Sequence, residues 1–331
     1  MASHGVARIP QPTLTQDQRE QQATKIRAYQ VLDHQVRTRV SAGLLDADTF
    51  SLTTRLLQLN PEYYTIWNVR RRCLASPSAF ASCPSSDTIE PSALGLDEAS
   101  IRSELAFTIP LLLKHPKCYW IWNYRLWILD QAIKRLAVHQ ARSVWQDELA
   151  LVSKLLHKDR RNFHAWGYRR HVVSHLESPA LQGDSMAESE FDYTTAMISE
   201  DLSNFSAWHN RSQLIPRLLH LRAADAASRK DFLYTELDLV HEALNVGPED
   251  QSLWYYHRYL VSNISAKGDI APDLSLSERK ACLEHDMFNT RDLCLDYDDI
   301  NFIYEALIQG TLILCKLEDQ PIDSQNKEQP S

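Results

Sequence analysis

The sequence predicts an all-α fold, an α-α superhelix built as a solenoid of stacked helical hairpins. Three observations carry that prediction. Five tryptophans recur in similar words, the residues around them agree in apolar character over more than 20 positions, and a turn signal splits every copy into two helical stripes. The words are NPEYYTIWNVRR around Trp67, HPKCYWIWNYRL around Trp122, DRRNFHAWGYRR around Trp166, DLSNFSAWHNRS around Trp208 and GPEDQSLWYYHR around Trp254. Successive tryptophans lie 55, 44, 42 and 46 residues apart, a longer unit than a tetratricopeptide repeat.

Within one repeat the elements follow from the offsets. Fifteen residues before each tryptophan stand Leu52, Phe107, Leu151, Tyr193 and Leu239; ten before stand Leu57, Leu112, Leu156, Ile198 and Leu244. These make one apolar stripe and predict a first helix. Three before the tryptophan stand Tyr64, Tyr119, Phe163, Phe205 and Gln251; seven after it stand Leu74, Leu129, Val173, Ile215 and Val261. With the tryptophan they make a second stripe and predict a second helix that buries all three positions. The break between them is Asn60-Pro61, His115-Pro116 and Gly247-Pro248, or Asp159 and Asp201. Pro there is expected in the first helical turn and Asn or Asp as its cap. One hairpin cannot bury both stripes, so hairpins must stack. Arginine follows the tryptophan by three residues at Arg70, Arg125, Arg169 and Arg211, while the fifth word has His257 and then Arg258. These tryptophans and arginines are read as structural, the arginine bonding carbonyls of a neighbouring turn.

The array has flanks. Residues 1–16 read as a flexible arm, 17–316 as one helical-repeat domain and 317–331 as a polar tail. One amphipathic helix is expected over 17–42 and a final one over 296–316. The Ser- and Pro-rich stretch 75–95 explains the longest spacing as an insertion, and a milder one lies at 178–187.

Composition excludes several classes. Only 8 glycines in 331 residues disfavour a P-loop or dinucleotide-binding fold. A net charge of −8 disfavours a general nucleic-acid surface. The 6 cysteines form no CxxC pair and read as reduced thiols of a cytoplasmic protein. No run of 18 apolar residues predicts a membrane span, and the first residues lack the apolar core of a signal peptide.

The five words resemble the repeats of protein prenyltransferase alpha subunits, which carry an aromatic, two or three variable residues and then Trp-x-x-Arg. The resemblance covers residues 17–264. It implies a crescent of helical hairpins around a beta subunit that is an α-α barrel and holds the catalytic zinc and most of the isoprenoid pocket. Ser3-His4-Gly5-Val6 before a Gln/Glu-rich helix, and Arg161-Asn162-Phe163-His164 in the third word, resemble the type II branch. The absence of immunoglobulin-like and leucine-rich domains resembles its compact fungal kind, although Ala2 and Ser3 precede the His-Gly pair as extra residues. The implied reaction moves geranylgeranyl from geranylgeranyl diphosphate to C-terminal cysteines of Rab GTPases, brought by a Rab escort protein. The alternatives are the alpha subunit shared by farnesyltransferase and type I geranylgeranyltransferase, or a tetratricopeptide-like scaffold without an enzymatic partner.

The resemblance also implies site residues. Pro116-Lys117-Cys118-Tyr119 matches the family's Pro-Lys-x-Tyr word, whose lysine reaches the donor diphosphate. A fixed cation there stabilises the charge that grows on the leaving group. Tyr119 is expected to shape that site, His164 to serve it, and Arg161 and Asn162 to bind the diphosphate. His4 is a candidate ligand to the partner's zinc. Zinc on the beta subunit is the expected cofactor, with magnesium as a second candidate. His171 and His175 are four apart but lack a third ligand, so no metal is expected on this chain itself. Asp296, Asp298 and Asp299 read as a cap on the final helix.

Overall fold

The computed structural model describes residues 15–76, 96–265 and 268–318, and among them thirteen α-helices and no strand. His4, nearly all of the arm and the tail, and residues 77–95 of the insertion lie outside the described residues. The chain divides into two compact units, Met1–Asp147 and Glu148–Ser331.

The first unit opens with α1 (Gln16–Ser41), started by a capping box in which Thr15 and Gln18 satisfy each other's backbone N–H. Two hairpins follow: α2 (Ala47–Leu59) with α3 (Tyr64–Ala75), and α4 (Glu98–Lys114) with α5 (Tyr119–Arg135). Helix α6 (Val138–Lys158) starts in this unit and ends in the next. The second unit continues with α7 (Phe163–Leu176), α8 (Ala187–Glu200), α9 (Phe205–Leu221), α10 (Ala226–Val246), α11 (Gln251–Ser265), α12 (Leu276–Asp296) and α13 (Asn301–Glu318). Within each unit helices of like rank pack on one another, α3 on α5, and α9 on α11 on α13, with α10 on α12. That makes a first-helix and a second-helix layer, the arrangement the sequence predicts.

The tryptophans hold each hairpin closed. All five are at most 4% exposed. Each donates its indole N–H to the backbone carbonyl six residues earlier: Trp67 to Pro61 (2.8 Å), Trp122 to Pro116 (2.9 Å), Trp166 to Arg160 (2.8 Å), Trp208 to Leu202 (2.8 Å) and Trp254 to Pro248 (2.6 Å). The ring fills the core while its one donor ties down the turn. The apolar residues ten before and seven after the tryptophan are buried in every copy.

Three expectations about the repeat are corrected. The aromatics three residues before the tryptophan are not core: Tyr64, Tyr119, Phe163 and Phe205 are 53, 52, 69 and 47% exposed. Helical side chains lean toward the N terminus, so in the first turn they project past the end of the packed layer. The prolines do not enter the helix. They sit in a β-turn closed by bonds from Tyr63 to Asn60, Cys118 to His115 and Asp250 to Gly247, and the same turn forms from Asn162 to Asp159 and Asn204 to Asp201. The cap is accordingly at Asn162 and Asn204, four residues before the tryptophan rather than seven.

The arginines, third, reach further than a neighbouring turn. Arg70 forms two bonds to Glu104 (2.6 and 2.7 Å), Arg169 two to Glu190 (2.9 and 2.6 Å) and Arg211 two to Glu236 (2.8 and 2.6 Å). In each case the glutamate belongs to the first helix of the next hairpin. The remaining guanidinium nitrogen goes to a hydroxyl of the arginine's own hairpin: Thr54 for Arg70, Ser153 for Arg169 and Thr195 for Arg211, each at 2.7 Å. Tyr124 and Tyr256 add hydroxyl bonds to Glu104 (2.6 Å) and Glu236 (2.5 Å). Arg125 bonds the Leu105 carbonyl (2.6 Å) and the Thr108 hydroxyl. A bidentate buried pair fixes the angle between hairpins, because breaking it strands a charge in the core.

Helices α12 and α13 form a sixth hairpin that the sequence reading does not anticipate. The final helix starts at Asn301, not 296, because Asp296 ends α12 and the intervening residues turn. Asp296 therefore does not cap the final helix. Tyr304 takes the tryptophan's place, and its hydroxyl donates to the Asp298 carbonyl six residues back (2.8 Å). A Cβ on Gly310 would come within 2.8 Å of Met287, so the two helices approach closely there.

Candidate functional site

The expected site residues fall on two turns, one in each unit. In the first, Pro116 and Lys117 are the central residues of the His115–Cys118 turn. Pro fits the first of these positions because its fixed φ is the one the turn needs. The backbone around Lys117 is pinned on both sides. The Pro116 carbonyl takes the Trp122 indole N–H (2.9 Å), and the buried Cys118 thiol donates to the Pro61 carbonyl (3.5 Å). Burial pushes that thiol up to about 11, so it is a neutral packing group and not a nucleophile. Lys117 itself is exposed, and no ion pair holds its ammonium among the described residues.

Beside it an aromatic surface is built. Tyr119 starts α5 and packs edge-on against Trp120 (centroids 5.2 Å), which in turn meets Tyr64 (5.3 Å). Asn123 reaches the Tyr119 hydroxyl (3.4 Å) and accepts from Arg71 (2.7 Å). Burial lowers the Arg71 pKa, which nearby Tyr124 and Tyr119 partly counter. Arg71 and Trp120 are thus neighbours of the site that the word matching does not reach.

In the second unit, the turn Asp159–Asn162 has Arg160 and Arg161 at its centre. The Arg160 carbonyl takes the Trp166 N–H (2.8 Å), and its guanidinium pairs with Glu200 (3.3 Å). Arg161 is exposed. Asn162 is only 4% exposed, and its side-chain oxygen accepts from the backbone N–H of His164 (3.1 Å) and Ala165 (3.2 Å). Its carbonyl end is therefore engaged in the cap, and it orients the turn and the helix start. His164 is half-buried, its ring against Phe163 with centroids 3.9 Å apart.

Lys117 and Arg161 occupy one register position, five residues before the tryptophan, where the other repeats carry Glu62, Ser203 and Glu249. Two repeats thus present a cation from a tethered turn, followed two residues later by an exposed aromatic. Such a turn offers a preorganised positive charge to an anionic ligand or leaving group.

A family model described as the protein prenyltransferase alpha subunit repeat matches residues 46–77, 101–132, 145–176, 187–218 and 233–264, one match per tryptophan word. Geranylgeranyl transferase type-2 subunit alpha of Saccharomyces cerevisiae is 34% identical over 317 residues, covering 96% of this chain and 88% of that protein. The protein of the same name from Candida albicans is 34% identical, covering 78% and 73%. The human one is 33% identical over 78% of this chain but only 41% of its own length. In fold the chain is similar to one from the Candida albicans protein geranylgeranyltransferase-I complexed with GGPP, with TM-score 0.54 and 19% identity over 96% of this chain and 95% of that one. The chain belongs to the protein prenyltransferase alpha-subunit family. Within that family its branch is that of the geranylgeranyl transferase type-2 alpha subunits, which sets aside the farnesyl-type and scaffold alternatives. No helix among the described residues is long and apolar enough to cross a membrane.

Proposed function

We propose that this chain is the alpha half of a cytoplasmic heterodimer that moves geranylgeranyl from geranylgeranyl diphosphate to C-terminal cysteines of Rab GTPases held by an escort protein. The observation that supports it most directly is the tethered, outward-facing Lys117. As the bond between the isoprenoid carbon and the diphosphate oxygen breaks, negative charge grows on the leaving group, and an ammonium fixed at that point stabilises the transition state more than the ground state. Arg161 supplies a second cation from the equivalent turn, Tyr119 and His164 line the two turns, and Asn162 holds the second turn in shape. In this reading zinc belongs to the beta subunit and lowers the pKa of the acceptor thiol. Magnesium is a candidate counter-ion for the diphosphate.

The exposed aromatics Tyr64, Tyr119, Phe163 and Phe205 provide the apolar contact that an obligate partner needs, since aromatic anchors dominate such interfaces. Co-expression with a type-2 beta subunit and, separately, with a farnesyl-type beta subunit tests the assignment. Transfer to a Rab–escort complex by the first pair alone is expected. Transfer to a CaaX peptide by the second pair would overturn it.

A further inference from the structure

The joint between the fifth and sixth hairpins differs chemically from the arginine joints. At Arg70, Arg169 and Arg211 a guanidinium spans a glutamate of the next hairpin and a hydroxyl of its own. Here the arginine position is His257, the hydroxyl position is His241, and the acid is Asp286. The three side chains come from α11, α10 and α12 and converge in the core, at 3, 7 and 3% exposure. Nε2 of His257 lies 2.8 Å, and Nε2 of His241 2.9 Å, from the same atom, Oδ1 of Asp286. The ring planes stand 74° apart, so the nitrogens approach that oxygen from different directions. All three atoms lie within 4.8 Å of one another, and among the described residues this is the one such group of potential metal ligands.

Both ring nitrogens face one oxygen of the Asp286 carboxylate, inside the core. That carboxylate lacks the guanidinium that neutralises the glutamate at the arginine joints. One carboxylate oxygen and two imidazole nitrogens on three separate helices are the ligand types a zinc-like ion takes, with a fourth position left for water.

We propose that His241, His257 and Asp286 bind a divalent transition-metal ion of the zinc type, which staples α10, α11 and α12 and fastens the sixth hairpin to the fifth. Binding needs each imidazole neutral, with its proton on Nδ1 and a bare Nε2 facing the ion. Metal–ligand bonds of about 2.0–2.2 Å in a tetrahedral site place ligand atoms roughly 3.3 Å apart. The two nitrogen-to-oxygen distances of 2.9 and 2.8 Å therefore widen by about half an ångström. The site is independent of any zinc on a partner subunit.

The test uses the purified full chain, stripped with chelator and then given Zn²⁺ or Co²⁺. The control variant, His257→Arg with Asp286→Glu, rebuilds the arginine–glutamate joint found elsewhere in the chain. Wild type is expected to take up one equivalent more metal than this variant, to develop visible Co²⁺ absorption that the variant lacks, and to gain several degrees in Tm with Zn²⁺. Equal uptake by both proteins would overturn the proposal and leave a hydrogen-bonded clasp only. Should the double variant not fold, His241→Gln serves in its place: loss of the Zn²⁺-induced Tm shift supports the site, and an undiminished shift sinks it. A wild-type chain whose Tm does not respond to Zn²⁺ sinks it as well.

Discussion

Lys117 is a single side chain whose value lies in what holds its neighbours. Pro116 and Cys118 are both tied to other elements, so the ammonium starts from a fixed base. If it meets the diphosphate, Lys117→Ala should lower the single-turnover rate of the heterodimer by about a hundredfold to a thousandfold, with donor affinity changed less. Lys117→Arg should recover part of that loss, because charge is kept but the point geometry is not. A mutant with normal turnover would leave Lys117 a solvated charge. The thiols make a second prediction at this scale. Burial pushes Cys73, Cys118 and Cys282 up to about 11 from an ordinary 9.0. The fold favours their neutral form, so their contribution is intact below the unfolded value and is lost as pH rises through the folded one. Tm should therefore fall as pH climbs from about 9 toward about 11. That fall should be shallower in Cys282→Ala, and a parallel curve for that variant would contradict the buried-thiol account.

Three joints between hairpins are each one arginine on a second helix and one glutamate on the following first helix. The Arg169–Glu190 pair tests their worth, because the two side chains meet directly through two bonds. Arg169→Met alone strands a buried carboxylate and should cost about 3–5 kcal/mol in urea unfolding. Adding Glu190→Leu should return much of that loss, giving a coupling energy of opposite sign in the double-mutant cycle. Additive losses would show that the pair does not act as a unit. These joints were half legible in the sequence. The arginines stand out because they follow the tryptophans, whereas their partners Glu104, Glu190 and Glu236 lie eighteen residues before the next tryptophan, beyond the words. Extending the register by three positions past the apolar stripe would have found them. The exposure of Phe163 and its equivalents was not legible, because periodicity places them beside the buried tryptophan and says nothing of where the packed layer stops.

At the scale of the whole molecule, the fold class, the five hairpins and the break in each were readable, since all rest on local periodicity and turn chemistry. The sixth hairpin was not, because Tyr304 replaces the tryptophan, and Asp286 with two histidines replaces the charged pair. The chain's dependence on a partner is testable through its exposed aromatics. Phe163→Ala should leave the Tm of the isolated chain unchanged, since the ring is 69% exposed. It should weaken association with the beta subunit by about 2 kcal/mol, roughly thirtyfold, as titrated by calorimetry. Unchanged affinity would move the docking surface elsewhere.

The arginine joint has a plug and a socket, and that gives the series a direction. A hairpin offers its plug, the arginine, forward, and its socket, the glutamate, backward. The Trp67 hairpin has Thr49 where the next four have a glutamate, and that hydroxyl is already occupied by Arg39 Nε at 2.9 Å. The Tyr304 hairpin has Leu307 where the first four have an arginine. Head-to-tail contacts that repeat without closing build filaments. Here neither limit offers the arginine–glutamate chemistry, so two copies have no such pair to join them end to end. Both limits of the array thus carry ordinary residues, a threonine and a leucine, where that pair would stand. Thr49→Glu together with Leu307→Arg would supply the missing pair.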